Sequence, residues 1–312
     1  MKKSTACFTL LLLLTATSLH GQNDTIWKRG GVFNVAFNQV SLSNWAAGGE
    51  NSVALNAIAN LYANYRKGNI NWDNALDMGY GTTKLGSEGI RKNDDRFELN
   101  TKFGYNAFKS KLFYTALFNF RSQFTDGFNY PRTDSSRYIS RFAAPAFTLL
   151  ALGIDYKPRD YFSVFLSPAT ARMVIVNDPF LSDQGAFGVD PGKKIRSEVG
   201  AYLNTRFQKE IVTNITVMNK LDLFSNYMDT PQNIDINWEF LLSMKVNKAI
   251  TVSLGTQLIY DDNTKILLFD EKNGARVPKL REDGTQASGP RVQFRQLFGI
   301  GLSYKFTGVT VE

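Results

Sequence analysis

The chain has 312 residues, a formal net charge of +8 at pH 7, 43% hydrophobic residues, one cysteine and one histidine. A single cysteine excludes a fold held by internal disulfides, and a single histidine leaves little room for His-dependent nucleophilic or zinc chemistry. Lysine and arginine are mixed with acids along the whole length instead of forming one basic stripe, which argues against a nucleic-acid binder.

The N-terminus opens on Met1-Lys2-Lys3, continues through an apolar core from Phe8 to Leu14, and then turns small and polar around Thr15–Gln22. This pattern predicts a cleaved secretory signal peptide over residues 1–21. The apolar run is far shorter than the ~20 residues that a spanning helix needs. Cys7 and His20 both lie in this segment, so the mature chain would contain neither. Loss of Lys2 and Lys3, with no acid among residues 1–21, would lower the charge by two, from +8 to +6. Residues 22–30 then read as a periplasmic lead-in, 31–306 as the folded body and 307–312 as a periplasmic tail.

Within 31–306, extended alternating stretches are joined by connections that are short and long in turn. The short ones are Lys67-Gly68-Asn69, Phe108-Lys109-Ser110, Pro158-Arg159-Asp160, Lys209-Glu210 and Val246–Ala249. The longer ones fall near Ser43–Asn51, Thr82–Asp95, Thr125–Pro145, Asn177–Lys194, Ser225–Gln232 and Asp261–Arg291. Five short and six long connections in strict alternation predict twelve antiparallel strands with every elaborate loop at one end. That asymmetry is the pattern of an all-β transmembrane β-barrel, with short periplasmic turns and long extracellular loops.

The strands repeat one chemistry. Ile70, Trp72, Asn74, Leu76, Met78 and Tyr80 oppose Asn71, Asp73, Ala75, Asp77 and Gly79; Phe97, Leu99, Thr101, Phe103 and Tyr105 oppose Glu98, Asn100, Lys102, Gly104 and Asn106. Ile234 to Met244 and Ile250 to Tyr260 alternate likewise. The polar register also carries Gly79, Gly104, Gly153, Gly200, Gly255, Gly299 and Gly301, which suggests tight curvature or close packing on that side. Burying Asp73, Asp77, Glu98 and Lys102 in an apolar core would be costly unless each were paired, so the polar face is expected inside and the apolar face against lipid. Tyr and Trp near strand ends, among them Tyr65, Trp72, Tyr156, Trp238 and Tyr304, fit interfacial girdles. The final strand ends in Gly301-Leu302-Ser303-Tyr304-Lys305-Phe306, which resembles the terminal signal that the β-barrel assembly machinery reads.

Without histidine or cysteine, the mature chain lacks the Ser–His pair of barrel lipases and the usual zinc ligands, and no enzyme activity or cofactor is expected. Asp73 and Asp77, like Asp235 and Glu239, lie four residues apart on one strand face, ~13 Å along the strand, too far for a carboxylate dyad. The acids Asp73, Asp77, Glu98, Asp235 and Glu239 are expected to form a lumenal charge ladder with Lys102, Arg121, Arg172, Arg206, Lys220 and Lys245. Part of that ladder could act as a charged constriction that selects a solute. Inward Phe113, Leu117 and Tyr202 argue against a wide pore. Asp261-Asp262-Asn263 and Asn93-Asp94-Asp95 offer oxygen clusters without calcium-loop spacing. Loop cations such as Lys84, Arg91, Arg132, Arg141, Lys193, Lys194, Arg276 and Arg281 suit a solvated surface or contact with lipopolysaccharide phosphates.

Ser41–Ser52 (SLSNWAAGGENS), Asn71-Trp72-Asp73-Asn74, Asp155-Tyr156-Lys157-Pro158, Phe165-Leu166-Ser167-Pro168, Gly185-Ala186-Phe187-Gly188, Leu223–Tyr227 and Leu258–Asp262 together resemble an uncharacterised family of outer-membrane barrels from Bacteroidota. The resemblance implies a cell outer-membrane location and a barrel of this size; it carries over no functional residues. Trp45 with Gly48-Gly49 is its most distinctive cluster, as a tight loop or a partner contact. The expected role is a narrow solute channel or transporter, or a barrel that binds another outer-membrane protein. A structural or assembly-associated barrel without a pore is the alternative, and a barrel hydrolase a distant third.

Overall fold

The computed structural model describes residues 27–41, 51–87, 89–106, 111–128, 137–272 and 275–310. The signal segment, the Trp45 cluster and Arg132 lie outside these residues. Twelve long strands close into a barrel: β1 (Trp27–Val40), β2 (Ser52–Lys67), β3 (Ile70–Leu85), β4 (Arg91–Tyr105), β5 (Leu112–Ser122), β6 (Ala146–Arg159), β7 (Phe162–Ile175), β8 (Ile195–Val212), β9 (Ile215–Asn226), β10 (Ile234–Lys245), β11 (Ile250–Tyr260) and β12 (Gln293–Thr310). Each pairs antiparallel with its sequence neighbours, and β12 returns to β1 in a register running from Trp27↔Thr310 to Ala36↔Gly301. Antiparallel order puts the C-terminal ends of the odd-numbered strands, with the longer connections, at one rim. Those of the even-numbered strands lie at the other, with the tight turns at 68–69, 160–161, 213–214 and 246–249. The turn expected at 108–110 lies outside the described residues.

Pairing thus spans 27–310 rather than 31–306. Lys28, Arg29 and Gly30 find ladder partners in both β2 and β12. The chain approaches its neighbours closely here: a Cβ at Gly31 would lie 2.6 Å from the Asn60 carbonyl oxygen. Two connections also differ from expectation. Thr82, Thr83, Arg91 and Lys92 are not loop but paired strand, which shortens that connection to residues 86–90. The turn expected at Lys209-Glu210 falls instead at Thr213-Asn214. Asn214 adopts the left-handed φ of 67° that a tight reversal needs, and its N–H donates to the Glu210 side chain at 2.7 Å.

Strand alternation places apolar side chains outward. Leu150, Leu152 and Ile154 on β6, Leu166 on β7 and Phe298, Ile300 and Leu302 on β12 are about half exposed or more, while Asp155, Phe165 and Glu198 point inward and are buried. A continuous apolar exterior around a polar interior inverts the order of a water-soluble fold. This is a transmembrane-type β-barrel, and its strand count lies between filled eight-stranded barrels and wide porins. At the end with the tight turns, Trp27 packs against Tyr65 and Trp72 at centroid distances of 5.2 and 5.8 Å, part of an aromatic girdle.

Among the register shifts of the barrel, one falls between Leu152 and Ile154 on β6 and another between Gly200 and Tyr202 on β8. There glycine is required: a Cβ at Gly153 would come within 2.1 Å of the Leu166 carbonyl oxygen, and one at Gly200 within 2.0 Å of that of Ser225. The inward Gly255 differs. The nearest atom to a Cβ there is a Leu241 methyl at 3.8 Å, so this glycine leaves space instead of relieving contact.

Candidate functional site: the barrel lumen

Inward side chains along the strands form three linked charge clusters. Near the tight-turn end, Lys157 Nζ bridges Asp73 (2.8 Å) and Asp155 (3.3 Å), Lys102 joins Asp155 at 3.2 Å, and Arg66 pairs with Asp73. At mid-height Lys220 Nζ meets Glu98 at 3.2 Å, Asp222 at 3.5 Å and Glu239 at 3.7 Å. Asn119 donates to Glu98 at 2.9 Å, while Tyr202 and Asn204 donate to Asp222. Towards the long loops, Arg172 pairs with Glu198 and Asp235, and Arg196 with Glu198 at 3.5 Å. Arg295 reaches from β12 to Asp94 on β4 at 2.9 Å and to Gln257 at 3.2 Å.

Of the residues expected in the ladder, Asp73, Glu98, Lys102, Arg172, Lys220, Asp235 and Glu239 join these clusters. Asp77 accepts from Asn60 at 2.5 Å, and Arg121 lies 4.9 Å over the Phe147 ring. Arg206 and Lys245 are not in a cluster: both are exposed, and Arg206 donates to Gln208 at 2.9 Å. Lys245 ends its strand, whereas Arg206 is registered directly opposite Lys220, a like charge, and turns to Gln208 instead. Sequence reading did not single out Arg66, Asp155, Glu198, Asp222 or Arg295 as ladder members. All five fall in the inward register of their strands, so strict period-2 extension would have found them. Asp261 and Asp262 spend their oxygens on loop structure: Asp261 accepts from Asn263 N–H at 2.9 Å, and Asp262 from Asn233 at 2.8 Å.

The Lys220–Glu98 bond joins strands nearly opposite each other, with four strands between β4 and β9 one way round and six the other. It divides the lumen into unequal halves. On the β5–β9 side, Leu117, Ala151, Phe165, Tyr202 and Phe224 pack into one cluster, so the half that Leu117 and Tyr202 were expected to narrow is filled. Phe113 is only half-buried. On the other side the inward positions include the amides, small residues and glycines Asn34, Asn60, Asn237, Ser253, Gly255 and Gly299, beside bulkier Ile58, Leu241 and Leu297. Asn60 and Leu297 are exposed although they face the barrel interior, and the others are partly exposed.

Above this lumen the long connections carry structure of their own. Short ribbons pair Gly127–Phe128 with Tyr138–Ser140 and Phe269–Lys272 with Ala275–Pro278. A one-turn helix, α1 (Pro179–Asp183), packs with Ala144, Val176, Leu181 and Val189 in a small core. Asp178 ties this module together, accepting from Leu181 N–H (3.0 Å), Tyr138 Oη (2.9 Å) and Arg141 Nη1 (3.1 Å). Burial opposes its ionisation, but these donors outweigh that and hold the carboxyl below its ordinary value. A depressed value means that the contribution is whole above pH 3.8, the ordinary value, and is lost as pH falls through the depressed one. Asp178→Asn is therefore expected to loosen the module at neutral pH, raising trypsin cleavage near Arg141 on the order of tenfold. Wild type should approach that rate only under acid conditions, with the barrel itself still resistant.

A closed twelve-stranded barrel with a half-filled, charge-bridged lumen defines the class of this protein. Residues 37–128 match the model of a family described as "Protein of unknown function (DUF3078)". No curated protein matches the chain. Among solved structures it is similar to the translocator domain of the autotransporter NalP from Neisseria meningitidis (9% identity, 91% of this chain and 90% of that one, TM-score 0.38). An outer membrane channel from Pseudomonas putida F1 matches at 10% identity, over 91% of this chain and 97% of that one, with a TM-score of 0.39. The Pseudomonas putida toluene transporter TodX matches at 9% identity over 91% and 90%, with a TM-score of 0.31.

Proposed function

We propose that this chain is an outer-membrane barrel providing a narrow polar passage along one side of its lumen. The observation that carries this reading is the asymmetry of lumenal exposure. Inward residues of β5–β8 are buried, among them Thr115, Leu117, Phe165, Ser167 and Tyr202. Those of β10–β12 and β1–β3 are mostly partly exposed, with Asn60 exposed although it points inward and Gly79, Gly81 and Thr251 buried. The passage is lined by amides, hydroxyls and glycines and crossed by the Arg295–Asp94 bond. Such a lining suits small hydrated solutes, and a lone arginine in the path discriminates by charge. The reading needs the protein to stand in the outer membrane. Fractionation of cells is expected to place it there, as a band that runs folded in detergent until boiled. Recovery in a soluble fraction would refute the location and the passage together.

A further inference from the structure

The seam between β1 and β12 is paired over only part of its height. Ladder pairing ends at Ala36↔Gly301. Beyond it, among the described residues, Phe37–Val40 pair with β2 alone and the eight residues Gln293–Ile300 with β11 alone. The strands are still close at the branch point, where a Cβ at Gly299 would meet the Ala36 methyl at 3.5 Å. Above it both faces become exposed. Phe37 and Val40 are 56% and 47% accessible, and Phe294, Leu297 and Phe298 are 60%, 40% and 63%, although Leu297 and Val40 share the inward register.

This edge lies at the height of the apolar exterior, since Phe294 and Phe298 are registered with Leu258 and Leu254 of β11. Alternate residues of an edge strand present unpaired backbone N–H and C=O groups, which hydrocarbon cannot satisfy. An acyl chain would cover the phenylalanines and leave those groups bare. Only another extended backbone answers both requirements.

We infer that the long-loop half of the β1–β12 seam is a strand-docking slot for an extended segment of a partner polypeptide. That segment would alternate apolar residues, set outward beside Phe294 and Phe298, with small or polar ones facing the lumen beside Arg295 and Asn38. The inference rests on the membrane-standing barrel proposed above, but not on solute passage.

The mature chain's lack of cysteine permits a direct test in detergent-purified barrel, with folding checked by heat-modifiable mobility. The probe is a synthetic peptide with the sequence of residues 250–260, a barrel strand of suitable alternation, bearing a thiol-reactive tip. Expected is saturable labelling at Phe298→Cys and Gln39→Cys, roughly tenfold above that at Leu254→Cys, a lipid-facing position on a strand paired along both edges. Equal labelling at all three means that the peptide only partitions into detergent, and overturns the inference. A Val40→Cys/Leu297→Cys pair should stay reduced in the folded protein without peptide. Its spontaneous and complete closure would show that the seam zips on itself, which also overturns the slot. Failure of either arm in a barrel that still folds leaves the lumenal passage standing.

Discussion

Replacing Lys220 with methionine is expected to destabilise the barrel by about 3–5 kcal/mol, because it strips the bridging cation from a largely buried cluster of three acids. Glu98, Asp222 and Glu239 surround its ammonium at 3.2, 3.5 and 3.7 Å. Glu98 is 5% accessible, so water cannot replace the lost partner. Amide donors from Asn119 and Asn204 soften the loss without cancelling it. Urea unfolding of the purified barrel, followed by disappearance of the heat-modifiable band, measures the change. Lys220→Met with Glu98→Gln should recover part of the loss, since one uncompensated charge goes with the second substitution. An unchanged midpoint in Lys220→Met would show that the cluster is solvated and the lumen open at that level.

Leu152→Arg is expected to cost about 2–4 kcal/mol in lipid, the range for arginine near the midplane of a membrane barrel. Leu152 points outward from the middle of β6 and is 58% accessible. An exposed leucine on a water-soluble protein would accept arginine with little change. The same substitution therefore reads two environments with different outcomes. Refolding into lipid vesicles across a urea gradient measures it, and a neutral result would mean that the apolar exterior does not meet hydrocarbon. An interface position such as Tyr156 should tolerate arginine far better, because the cost falls toward the bilayer surface.

Much of this architecture is legible in the residues. A period-2 pattern in which Asp73, Asp77, Glu98 and Lys102 share one face and Trp72, Leu76, Phe97 and Phe103 the other sets strand, face and count together. Alternating connections then set which ends carry the loops. Depth is what alternation does not encode. Lys245 has the inward register but sits at the rim, while Lys157, beyond the expected ladder, bridges Asp73 and Asp155 within it. Cross-lumen partners such as Arg295 and Asp94 are 201 residues apart, and their meeting depends on ring closure and on the bulges at Gly153 and Gly200. The half-filling had a signal: inward-register Leu117, Leu149, Phe165 and Phe224 all fall between β5 and β9. Reading it needed the strands placed in a ring, where sequence neighbours become one side of the lumen. The turn at Thr213-Asn214 was missed because Lys209-Glu210 looks polar enough for a loop, yet Asn214 is the residue suited to positive φ.

The passage is tested most directly by recording current through the folded, purified protein in planar bilayers. A small, steady conductance well below that of a wide porin is expected. Arg295→Ala, which removes the bridge to Asp94, should raise it roughly twofold or more and shift its charge preference toward cations. Bilayers that stay silent with both proteins, while each shows the folded band, would contradict a lumen open along β10–β3.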